Sequence, residues 1–148
     1  MEKREWKDPV AISYLYVAFA GITDNKIDID EMNEIVKSMR FWFDESVSDD
    51  EINESIQTAF KRCVLEDSFT GGVEKVNGVV TDLAIWLSDD FFTRRAEKFN
   101  YSADEVAKDK RHFLSDLLRI ARADNNFHEN EQSWIDIIAG IIGVEFNV

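Results

Sequence analysis

The chain has 148 residues, with 17 basic and 30 acidic side chains and a formal net charge of −13. That length suits one ordinary domain with a sizeable core, and 45% hydrophobic residues argue against disorder. The acidic excess argues against direct contact with nucleic-acid phosphates or anionic lipid; it suits cations, basic partners or plain solubility.

One proline and six glycines leave few breaks, and 11 Phe and 4 Trp supply large side chains for helix–helix interfaces. Asp8-Pro9 reads as an N-cap followed by proline at the first helical position, where its missing N–H costs little. Ile12, Leu15, Tyr16 and Phe19 follow at i, i+3, i+4, i+7 spacing. The apolar run 10–20 ends in Ala18-Phe19-Ala20, which imitates a signal-peptidase site. The segment before it balances Lys3, Arg4 and Lys7 against Glu2, Glu5 and Asp8, whereas a secretory segment is net positive. The run is therefore expected to be a core helix. No run reaches the ~18–20 apolar residues of a membrane span.

Asp28-x-x-Glu31, Ser48-x-x-Glu51 and Ser102-x-x-Glu105 have capping-box spacing, in which the cap oxygen and the third-position carboxylate satisfy orphan N–H groups reciprocally. The middle reads as a helix over 52–65, a break at Gly71-Gly72, a helix over 73–87 and a short aromatic segment at Phe91 and Phe92. Asn100-Tyr101 separates that segment from the helix begun by Ser102. Phe113, Leu117, Ile120 and Ala121 make the next apolar stripe, and Trp134, Ile138, Ile141 and Ile142 the last, with Gly143 where a glycine ends a helix. No alternating strand and no linker appears. The expectation is an all-α, single compact domain over 1–148, of about seven helices. Trp6, Trp42, Trp86 and Trp134 read as core or core-edge residues. Cys63, the lone cysteine, excludes an internal disulfide and suits a reducing compartment, so a buried inert thiol in a cytoplasmic protein is expected.

The feature that reaches toward function is a duplication. Thr23-Asp24-Asn25-Lys26-Ile27-Asp28-Ile29-Asp30-Glu31 aligns without a gap, at an offset of 100 residues, with Ala123-Asp124-Asn125-Asn126-Phe127-His128-Glu129-Asn130-Glu131. In each copy Asp sits past the end of one helix, Asn permits a left-handed turn, and Glu falls in the first turn of the next helix. Neither is an EF-hand, which needs oxygen ligands at positions 1, 3, 5 and 12 and Gly at 6. Counted from Asp24, position 6 is Ile29 and position 12 Ile35; counted from Asp124, they are Glu129 and Ile135. One elbow alone offers too few oxygens for firm Ca²⁺ or Mg²⁺ binding, but two brought together offer four or more carboxylates. His128 adds a nitrogen ligand that tilts the second copy toward Mn²⁺ or Zn²⁺. Capping and turn chemistry explain Asp24, Asp28, Glu31 and Asp124 without a metal, so both readings stand. His128 fits capping less well, because His is a poor N-cap. No phosphate loop and no Ser or Cys nucleophile with a His partner appears, and His112 reads as a partly exposed helix residue; no enzyme is expected.

At these elbows the sequence resembles the TerB-like family, named for a tellurite-resistance protein and also seen as the N-terminal part of a membrane-anchored DnaJ co-chaperone. The signature is a helix ending in Ala-Asp-Gly, a turn, then a polar residue two or three before a Glu that opens the next helix. Ala123-Asp124-Asn125 through Glu131 is the better match, with Asn in place of the family's Gly in both copies and His128 at the polar cap position. The resemblance implies an all-helical fold over nearly the whole chain and an acidic, cation-binding or scaffolding module of chemical-stress or phage-defence systems, without established catalysis. Carried over by position, the metal ligands would be Asp24, Asp28, Glu31, Asp124, His128 and Glu131, for Ca, Mn or Zn. A protein partner, basic or membrane-associated, is implied, with no direct nucleic acid and no membrane insertion. The alternatives are a metal-free acidic interaction module and an acidic DNA-mimic inhibitor.

Overall fold

In a helix that is apolar on every side, no face is left for water, so it belongs at the centre of a domain. α1 (Asp8–Gly21) is such a helix: residues 11–19 are all buried, among them Tyr14, Tyr16 and Phe19. Each large apolar side chain so buried contributes roughly 1.5–3 kcal/mol of transfer free energy. The computed structural model describes residues 7–21, 29–43, 46–68, 72–122 and 129–146, with side chains at 20–21, 29–31, 63–68, 72–77, 121 and 129–131 left out of the description. The elements in chain order are α1, α2 (Ile29–Trp42), α3 (Asp49–Ser68), α4 (Gly72–Trp86), a π-helical turn (Leu87–Phe91), α5 (Phe92–Phe99), α6 (Ala103–Ala121) and α7 (Glu129–Ile142). No strand occurs among the described residues. α1 contacts α2, α3, α4 and α6, and α7 closes the far side against α4 and α6.

The start and stop signals act locally. Ser102 accepts from the Glu105 N–H at 3.3 Å, while Glu105 accepts from the Ser102 N–H at 3.2 Å, a complete capping box. Ser48 accepts from the Glu51 N–H at 3.1 Å at the head of α3. Gly143, at φ 79°, ends α7, and the Val144 N–H reaches the Ala139 carbonyl at 3.1 Å, a Schellman bond. Asn100, at φ 54°, ends α5 in the same way, with the Tyr101 N–H on the Ala96 carbonyl.

Two local expectations need correcting. α1 begins at Asp8 itself, with the Lys7 carbonyl accepting from the Ala11 N–H, so the cap falls one residue earlier than expected. The Asp8 carboxylate instead receives both terminal nitrogens of Arg94, at 2.8 and 3.0 Å. The aromatic segment at Phe91 and Phe92 is no interruption: α4 runs through the π turn into α5. The Phe92 N–H bonds the Leu87 carbonyl five residues back, and this wider turn lets Leu87, Phe91 and Phe92 all reach the core.

Candidate functional site

Asp24, Asp28, Asp124 and His128 lie outside the described residues; Glu31 and Glu131 lie on α2 and α7, and their side chains are outside the description. The helices on either side are described. α1 ends at Gly21 and α6 at Ala121, while α2 spans Ile29–Trp42 and α7 Glu129–Ile142, so these ends coincide at the 100-residue offset. α2 and α6 run antiparallel: Phe41 and Trp42 near the end of α2 meet His112, and Glu34 and Ser38 meet Arg119 near the end of α6. Near the end of α1, Phe19 makes an edge contact with Trp134 in α7 at 5.5 Å. The four helix ends that flank 22–28 and 123–128 therefore meet in two pairs, α2 with α6 and α1 with α7. Among the described residues no group of three or more His, Cys, Asp or Glu is placed to hold a metal.

A buried polar chain joins the same helices. Asp116 of α6 is 1% exposed and lies among the apolar residues Phe113, Leu117 and Ile120. A buried carboxylate needs partners. The Tyr16 hydroxyl of α1 donates to it at 3.0 Å and accepts in turn from Trp42 Nε1 of α2 at 2.5 Å. Arg119 Nη2 lies 2.9 Å from the other carboxylate oxygen, and His112 Nε2 lies 3.5 Å from the first. Burial, with the Asp116 charge and hydrogen bond added, pushes the Tyr16 phenol well above its ordinary range and keeps it a neutral donor. Arg119 also donates to Glu34 and Ser38, both at 2.7 Å, and its hydrogen bond holds the Glu34 carboxyl below the usual range. Glu34, Ser38, His112, Asp116 and Arg119 line a cavity of about 380 Å³ whose other walls are Phe41 and Lys37. Both Asp116 oxygens are engaged, so the arrangement ties three helices together by charge and hydrogen bonding. His112, expected as a partly exposed helix residue, is that, stacked on Phe41 at 3.8 Å.

A second cleft, of about 440 Å³, opens between the end of α2 and α5. Arg40, Arg94, Arg95 and Lys98 line it, an island of cations on an acidic chain. Arg94 is bound by Asp8 and Asp90, which raise its pKa, and Arg40 by Asp49 at 2.6 Å. Arg95 sits with its guanidinium carbon 4.7 Å from the Trp42 ring centre, 5.3 Å from Phe99 and 5.9 Å from Phe41, within cation–π range of each. Trp42 and Trp134 are buried and Trp86 is partly buried against the core, as expected of them; Trp6 and the Cys63 side chain lie outside the description.

Neither the Asp116 chain nor the Arg95 cleft was put forward from sequence. For Asp116 a signal existed, an acid within the apolar stripe of α6. For Arg95 none did, because its aromatic neighbours come from α2 as well as α5.

Compared with known families, residues 20–147 match the model described as tellurite resistance protein TerB. The chain matches no curated protein and no solved structure.

Proposed function

Because the chain belongs to the TerB family, we propose that it is a non-catalytic helical module that binds a divalent cation and acts through a protein partner in tellurite or chemical-stress resistance. The ligands proposed are Asp24, Asp28 and Glu31 from one elbow and Asp124, His128 and Glu131 from the other. The observation that carries this reading is the pairing of helix ends: α2 meets α6 through Glu34 and Arg119, and α1 meets α7 through Phe19 and Trp134. Pairing of those ends favours two elbows close enough to share one ion. The donor set is mostly carboxylate, which suits Ca²⁺ or Mn²⁺, and His128 extends it to Zn²⁺. The site of action proposed is the cytoplasm, where a lone Cys63 stays reduced. Among the described residues no helix is long and apolar enough to cross a membrane.

Calorimetric titration of chelator-treated protein with Ca²⁺, Mn²⁺ and Zn²⁺ tests the cation. Saturable binding that is lost in both Asp24→Asn and Asp124→Asn is expected for one shared site. Loss in only one variant would mean separate elbows, and no heat from folded protein would remove the cation from the reading. The second reading, a metal-free acidic interaction module, is favoured by the exposed carboxylates Asp49, Asp50, Glu51 and Glu54 at the head of α3. It expects capture of a basic partner that salt weakens and chelator leaves unchanged.

A further inference from the structure

The cleft beside α5 gathers cations on an acidic chain, with the Asp8 carboxylate also in its wall. A net charge of −13 repels anions from the molecule as a whole, yet four cationic side chains converge here. Carboxylates hold the arginines in place: Arg40 by Asp49, Arg94 by Asp8 and Asp90, and Arg95 by Asp109. Arg95 differs in how it is held. Only its Nε is used, donating to Asp109 at 2.8 Å, and its two terminal nitrogens meet no acceptor among the described residues. The side chain is only 14% exposed. A guanidinium fixed at one nitrogen, stacked on Trp42 and withdrawn from bulk water is a preorganised fork for a planar or tetrahedral oxyanion.

The walls add a second requirement. Phe41 and Phe99 are 49% and 48% exposed, two of only four large apolar side chains so exposed among the described residues, and both line this cleft. Phe99 stacks on Tyr101 at 5.5 Å, which extends the aromatic wall. A small inorganic ion would leave those faces wet. A ligand carrying an aromatic ring beside its charge would cover them, and about 440 Å³ falls in the size range of small-molecule sites.

We propose that this cleft binds a small aromatic oxyanion, with Arg95 holding the charged group and Phe41 and Phe99 flanking the ring. The site is independent of the elbow cation, so its test is run in chelator. The full chain is titrated with phenyl phosphate, benzoate, inorganic phosphate and benzyl alcohol, followed by calorimetry and by intrinsic tryptophan fluorescence. Saturable binding of phenyl phosphate or benzoate is expected, at least about tenfold tighter than inorganic phosphate or benzyl alcohol. Which of the two binds tighter identifies the anion. Arg95→Gln should weaken binding by about tenfold or more. Should that variant fail to fold because Asp109 loses its partner, Phe99→Ala decides, since Phe99 is half exposed, and a clear loss of affinity is expected there. Binding no tighter than that of inorganic phosphate, or a folded Arg95→Gln or Phe99→Ala protein that binds as the parent does, overturns the proposal.

Discussion

Tyr16 is kept neutral first by its burial and then by the acid it touches. Its hydroxyl stands between Trp42 Nε1, which donates to it, and Asp116, which accepts from it. Tyr16→Phe removes that middle link and leaves one buried donor and one buried acceptor short of a partner. The expected cost is about 1–3 kcal/mol, read as a lower urea midpoint at neutral pH. The same link sets a pH dependence. The folded phenol is raised above its unfolded value near 10, so its contribution is complete below that pH and is lost as pH rises through the folded value. Stability of the parent should fall above pH 10, and Tyr16→Phe should fall less steeply; parallel slopes would refute the assignment. Little of this was legible beforehand. The stripe Ile12, Leu15, Tyr16 and Phe19 puts Tyr16 inside, but it does not reveal that the opposing position in α6 is an acid. Tyr16 and Asp116 are separated by the 100 residues that relate the two elbows, so corresponding positions in α1 and α6 touch each other.

The elements were legible wherever their limits are set by neighbours in sequence. Ser102 with Glu105, and Gly143 after the last apolar residue of α7, act within a few residues, and the expected caps are present. Asp8 failed as a cap because its partner, Arg94, is 86 residues away, and no local pattern reports a competitor at that distance. The π turn was missed for a related reason. The adjacent Phe91 and Phe92 point to different faces of an ordinary α-helix, and only the tertiary core makes burying both worth a widened turn. The end of α7 allows a paired test of backbone reasoning. A Cβ added at Gly140 or at Gly143 meets nothing within 4 Å, so neither substitution carries a packing term. Gly140 lies within the helix, and Gly140→Ala should stabilise by about 0.5–1 kcal/mol through lower unfolded-chain entropy. Gly143 has φ 79°, and Gly143→Ala should destabilise by about 1–2 kcal/mol. Thermal melts of the two variants should shift in opposite directions, and a shift of the same sign would mean that the end of α7 rearranges.

For the molecule as a whole, two electrostatic effects oppose each other as pH falls. The chain carries −13 at neutrality with an isoelectric point near 4.5, so acidification relieves repulsion across the surface until that pH is approached. Acidification also discharges the carboxylates that bridge helices. Glu34 is one, binding Arg119 at 2.7 Å and so tying the first half of α2 to the end of α6. The Arg119 hydrogen bond depresses its folded pKa, so its contribution is present above the unfolded value and is lost as pH falls through the folded one. Relief of repulsion is shared by every variant of nearly the same charge, whereas the bridge is removed by one substitution. The difference in melting temperature between the parent and Glu34→Gln therefore isolates the bridge. That difference should be constant from neutrality down to about pH 5 and shrink toward zero below about pH 4.5. A difference that persisted unchanged into stronger acid would mean that Glu34 acts through packing and not through its charge. The α2–α6 pairing that supports a shared cation site would then have to rest on Ser38 and on the contacts of Phe41 and Trp42 with His112 and Phe113.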